Sequence, residues 1–166
     1  MKHISIMINR QALFDDISSL AYSEGEIIHT DSGDERRELQ DIVEDGNVGR
    51  VLRLLNLAYS ECLEALYPYC KTEVADDSKI SSDIDDNVVG YLFNLSVPND
   101  FSSTTHTIIA RYIHECMVAR VLFELISIVN PQSAAKWQMK YIESLKEIKS
   151  RLNNRTKIVR RKAHPF

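Results

Sequence analysis

The chain opens on Ile4, Ile6 and Ile8 alternating with His3, Ser5 and Met7. That period of two predicts a short extended arm or strand. Asn9 is placed to cap a helix over residues 10–23, with Leu13, Ile17 and Leu20 on one face and Gly25 as its stop. Residues 29–34, HTDSGD, read as a loop. A short helix is expected over 35–44, with Leu39, Ile42 and Val43 inward, before a break at Asp45-Gly46. A stronger helix follows over 47–66. Its stripe is Val48, Val51, Leu52, Leu55, Ala58, Tyr59, Cys62, Leu63 and Leu66. Arg50, Arg53, Ser60, Glu61 and Glu64 are assigned to its outer face, and Pro68 closes it.

Residues 71–87 are polar and acidic, with Asp76, Asp77, Asp83, Asp85 and Asp86 and few apolar anchors. They read as a solvated loop; the run matches no EF-hand spacing. Val89, Tyr91, Phe93, Leu95 and Val97 then alternate with Val88, Gly90, Leu92, Asn94 and Ser96. This is a strand pattern that Pro98 ends. A lone strand cannot satisfy its own backbone. Its partner is expected to be the N-terminal arm, the C-terminal tail or another subunit.

Asp100, Ser102 or Ser103 can cap the longest helix, which runs to Val129. Apolar residues from Ile108 to Val129 cover nearly all its sides, so it belongs at the centre of a core. Arg111–Glu115 and Arg120–Glu124 are i,i+4 pairs, and the two Arg lie about half a turn apart at ~100° per residue. Asn130-Pro131 breaks the chain and starts the last helix, to about Asn153. Ala134, Trp137, Tyr141, Leu145, Ile148 and Leu152 form its narrow stripe. The short connection makes the two helices an antiparallel hairpin. Trp137 reads as an anchor of that hairpin.

The resulting fold class is mainly α. It is a helical bundle with a long central hairpin (102–129 and 131–153), one short strand near 88–97, and extended N- and C-terminal arms. One domain spans 1–166: an arm at 1–9, a body at 10–154 and a basic arm at 155–166. The 166 residues and 44% hydrophobic content suit one soluble domain. No stretch approaches the roughly 20 apolar residues of a membrane span, and the first residues lack a signal-peptide pattern. Manufacture in a cytoplasm, with no membrane partner, is the expectation. Cys62, Cys70 and Cys116 are odd in number with no CxxC spacing, and read as buried reduced thiols.

The net charge of −4 divides unevenly. From Lys136 onward there are ten Lys/Arg against two Asp/Glu, or +8; residues 1–135 carry ten against 22, or −12. One end is thus expected to meet an anionic partner or an acidic neighbour.

Catalytic patterns are not evident. His114-Glu115 is followed by Val118 where a zincin needs His. His106 and His114 are about 80° out of alignment at ~100° per residue, poor for a shared metal with Cys116. No P-loop, GxGxxG or GxSxG occurs. The expectation is a non-enzyme with no cofactor and no metal site.

The tail is the sharpest feature. Arg155, Lys157, Arg160, Arg161 and Lys162 lie close together, with Thr156, Ile158 and Val159 favouring a strand and Phe166 at the end. Such a segment suits addition to a neighbour's sheet edge. A frayed solvated tail is the plain alternative.

Residues 88–166 also carry recognisable elements: LSVP-x-x-F, IHE-x-x-VARVL, NP-x-SA-x-KW and VRRK-x-x-PF. In these the chain resembles small virion proteins of phages and prophages of Bacteroides-type bacteria. Those proteins are similar to tailed-phage head–tail connector (adaptor) proteins. The resemblance implies a virion protein made in the bacterial host cytoplasm, forming a homomeric ring between portal and tail. Its partners would be itself, the portal, and neighbouring tail or connector proteins. Val89, Tyr91, Phe93, Leu95, Lys157, Val159, Arg160, Arg161, Lys162 and Phe166 would make the contacts. The alternative is a nucleic-acid-binding accessory protein using the basic C-terminal region.

Overall fold

A computed structural model describes residues 2–27, 45–70, 89–97, 99, 101 and 103–153. The helix expected at 35–44, the loops at 29–34 and 71–87 and the basic arm at 155–166 lie outside the described residues.

The period-two start of the chain forms β1 (Lys2–Asn9), which runs directly into α1 (Arg10–Ile27). Asn9 caps that helix as its residue type predicts. Its Oδ1 accepts from the backbone N–H groups of Gln11 at 2.8 Å and Ala12 at 3.3 Å. Helix α2 (Asp45–Ala65) follows, then β2 (Gly90–Val97), α3 (Ser103–Val129) and α4 (Pro131–Asn153). Mainly helical architecture with a small sheet is therefore what the hydrophobic pattern predicts.

The partner of β2 is the N-terminal arm. β1 and β2 pair antiparallel from Lys2↔Val97 to Asn9↔Gly90. Alternation sends Ile6, Ile8, Tyr91, Phe93, Leu95 and Val97 to one buried face. His3, Ser5, Met7, Leu92, Asn94 and Ser96 occupy the other. There the Ser5 hydroxyl donates to Asn94 Oδ1 at 2.7 Å, and Ser96 Oγ meets His3 Nδ1 at 3.0 Å. Gly90 is required where it stands: a Cβ would meet the Ile8 carbonyl oxygen at 2.4 Å.

Helix α3 packs against α1, α2, α4 and β1. Ile113, Cys116, Met117, Ala119, Val121 and Leu122 are all fully buried, as an all-round apolar helix demands. The α4 stripe buries Ala134, Trp137, Ile148 and Leu152, and adds Ser144, which the apolar pattern does not show. Asn130 caps α4, its Oδ1 accepting from the N–H groups of Gln132 and Ser133 at 3.2 Å each.

Two helix boundaries differ from expectation. Gly25 does not end α1; the helix runs to Ile27 with Gly25 buried. Gly inside a helix costs about 1 kcal/mol, and the buried bonds of the adjacent Glu24 offset it. Asp45 and Gly46 belong to the first turn of α2, which begins at Asp45, two residues before the expected start at 47.

Candidate assembly surface

Two kinds of polar group decide what this fold offers a partner: the outward backbone of the sheet edges, and the charged side chains between helices.

On β2 the outward groups are largely met from within the chain. The Tyr59 hydroxyl donates to the Leu92 carbonyl at 2.7 Å, and the Ser96 N–H donates to the Tyr69 carbonyl at 2.8 Å. Tyr59 also lies 5.1 Å from the Tyr91 ring and 5.0 Å, edge-on, from Phe93. These contacts lock α2 onto β2. Burial pushes the Tyr91 hydroxyl up to about 12; it donates to Asn56 Oδ1 at 2.8 Å.

This arrangement corrects part of the predicted contact set. Tyr91, Phe93 and Leu95 face the chain's own core, with Phe93 fully buried, and are not presented to a partner. Only Val89 of that group is exposed, at 78%. Its carbonyl accepts from the Arg10 N–H at 3.2 Å, extending the ladder by one rung. A period-two pattern shows which residues share a face but not whether that face meets the same chain or another. Lys157, Val159, Arg160, Arg161, Lys162 and Phe166 lie outside the described residues.

On β1 the outer edge is less covered. The Ser96 and Leu92 bonds point away from β1, so the antiparallel alternation turns the backbone of His3, Ser5 and Met7 outward on the opposite side. His106 Nε2 meets the Ser5 carbonyl at 3.2 Å. Further along, an open groove of about 350 Å³ lies between this edge and α3, lined by Met7, Ile8, Asn9, Thr107, Ala110, Arg111, His114 and Glu115.

Between the helices, charged groups are used as ties. Arg120 bonds Glu61 through both Nε (2.7 Å) and Nη2 (3.0 Å), and reaches Glu124 through Nη1 at 2.5 Å. The Tyr141 hydroxyl donates to the same Glu61 at 3.0 Å. The Arg120 fork holds the Glu61 carboxyl below its ordinary range, against the opposing effect of burial. Glu61 was assigned to an outer face; instead it joins α2, α3 and α4. The Arg120–Glu124 pair forms as the spacing predicts. Arg111–Glu115 does not, because Glu115 turns to Lys140 on α4 at 2.8 Å.

Glu24 is the second tie, only 7% exposed. It accepts from the Ser133 hydroxyl at 2.5 Å and from Trp137 Nε1 at 3.2 Å, with Lys136 Nζ at 3.6 Å. Trp137 therefore anchors α1 to the first turns of α4, where a carboxylate also meets the positive helix end. Glu24→Ala is expected to cost about 2 kcal/mol, because the indole N–H and Ser133 lose a buried acceptor. A urea melt equal to that of the wild type would refute this. Glu24 continues the stripe of Leu13, Ile17 and Leu20 by one more four-residue step, a position that a reading confined to apolar residues passes over.

The residues weighed for a metal go separate ways. His114 Nε2 contacts Asp16 Oδ2 at 2.6 Å, His106 turns to Ser5, and Cys116 Sγ lies 3.6 Å from Cys62 Sγ. The bond from Cys62 and burial push the Cys116 thiol far up, keeping it protonated. All three cysteines are free and buried, as read from their spacing. Among the described residues no helix is long and apolar enough to cross a membrane. Comparison with family models, curated proteins and solved structures returns no match for the chain.

Proposed function

We propose that the chain is a phage virion structural protein, a head–tail connector (adaptor) that assembles as a homomeric ring between portal and tail. The observation that carries this reading is a helical body with a partly uncovered strand edge, followed in sequence by a basic, β-favouring segment. An open strand edge is a template for pairing with another chain, and the sequence of residues 154–166, with Thr156, Ile158 and Val159, suits a donor strand. The likeness of residues 88–166 to small phage virion proteins supplies the setting. The use of Arg120–Glu61, Glu115–Lys140 and Glu24–Lys136 as interhelical ties fits a body built for rigidity.

Native mass of the full-length protein, beside a version truncated after Asn154, tests this. A discrete ring-sized oligomer that collapses on truncation is the expected result. Monomers in both, together with no capture by the portal, would overturn the reading.

The alternative, nucleic-acid binding, draws on Lys146 and Lys149, exposed on α4 and continuous in sequence with the basic segment. It requires DNA retention that weakens with salt and is lost when Arg160, Arg161 and Lys162 become Ala.

A further inference from the structure

The assembly reading leaves open which surface receives the basic segment. Three observations narrow it. The first is that the outward positions of β2 at Leu92 and Ser96 are already bonded to Tyr59 and Tyr69. A strand adding there would have to displace both, together with the aromatic contacts of Tyr59.

The second concerns β1. The backbone of Met7 turns outward by the same alternation and meets no hydrogen-bond partner among the described residues beyond the β1–β2 ladder. This stretch borders the groove of about 350 Å³. The groove floor is apolar at Ile8 and Ala110. Arg111 and Glu115 line the groove, with Glu115 shared with Lys140 of α4, and Asp16 lies just beyond it through its bond to the lining His114. An extended chain in such a place gains backbone bonds on one side and apolar cover on the other.

The third is where the donor begins. Asn153, the last residue of α4, accepts at Oδ1 from the Tyr69 hydroxyl at 2.6 Å. The carbonyl of the same Tyr69 binds the Ser96 N–H on β2. Asn153, from which the segment continues, therefore sits on the β2 side, whereas the edge that no described residue pairs belongs to β1.

We propose that residues 155–162 of one copy add as a strand to the outer edge of β1, around Met7, in the next copy. The proposed contact is heterologous, each copy giving on one side of the sheet and receiving on the other, and the double variant below separates it from a reciprocal exchange, which would stop at a cross-linked dimer. Heterologous contacts propagate around a ring and do not stop at a two-fold dimer. The basic residues of the segment fall outside the groove floor, near Asp16 and Glu115, while Ile158 or Val159 turns inward. This rests on the assembly reading and names its acceptor.

The test is thiol trapping on full-length protein. Met7→Cys and Ile158→Cys are made separately, then mixed after purification and treated with a short bismaleimide. Met7 is 60% exposed, so its replacement leaves the core intact; the native cysteines are buried and serve as the background control. A cross-linked dimer in the mixture, absent from either variant alone and from wild type, is expected. The double variant should give a ladder of higher species. A cross-link only within single chains of the double variant overturns the proposal, because the segment then docks on its own body. A ring-sized native mass without any cross-link overturns it while leaving the assembly reading standing. A full-length protein that is monomeric and uncross-linked overturns both.

Discussion

Phe93→Ala is expected to lower the stability of the isolated chain by about 3–5 kcal/mol, the usual range for emptying a buried aromatic site. Phe93 is fully buried and receives the edge of Tyr59 at 5.0 Å. Its removal leaves a cavity between β2 and α2, and the rigid sheet can close only part of it. Val89→Ala serves as the comparison. Val89 points to solvent at 78% exposure, and its truncation should stay within about 0.5 kcal/mol. Urea midpoints at an unchanged m-value read both effects. A Phe93→Ala loss as small as that of Val89→Ala would mean that the inner face of β2 is not this chain's own core.

Arg120→Met should cost about 2 kcal/mol at neutral pH, the range for losing hydrogen bonds to charged groups that are only partly buried. Methionine replaces much of the volume, but Glu61 and Glu124 are left part-buried without the guanidinium that both bond. Breaking a buried pair by removing one partner is far more costly than exchanging the whole pair for apolar groups. The pH dependence has a definite sign. The Arg120 fork holds the folded-state pKa of Glu61 below its ordinary 4.5. The unfolded chain thus binds more protons in the window just below that value, and stability rises with pH across it. The contribution of Glu61 is complete above pH 4.5 and is lost as pH falls through the lowered folded value. In Arg120→Met that contribution is absent, and protonation of Glu61 removes an unpaired, part-buried charge instead. The difference in urea midpoint between the two proteins should therefore narrow from pH 7 to pH 3. A gap that stays constant would show that Glu61 is not governed by Arg120.

Much of the fold is legible in the linear pattern. The hairpin of α3 and α4, the caps at Asn9 and Asn130, and the strand pattern of β2 all depend on residues within a few positions of one another. Local rules of period and capping act at that range. The central place of α3 is legible too, since a helix apolar on every side has nowhere else to go. The candidate surface is less so. Tyr91, Phe93 and Leu95 share a face, as the alternation predicts, but that face turns to the chain's own core, while Val89 points to solvent. Either direction satisfies the same alternation.

By itself, then, the sequence determined the elements, their faces and the split between an acidic body and a basic end. Tertiary structure alone decided that β2 pairs with β1, and which backbone edge has no further strand among the described residues. It also turned Glu61 from an outer face to Arg120, 59 residues away, and Glu24 to Trp137, 113 residues away. It carried α1 through Gly25. The physical reason is common to all of these. A buried charge or a strand edge is satisfied by whichever group the packing of apolar faces brings beside it. That packing is set by the three-dimensional fit of several helices at once, which no short-range spacing along the chain records.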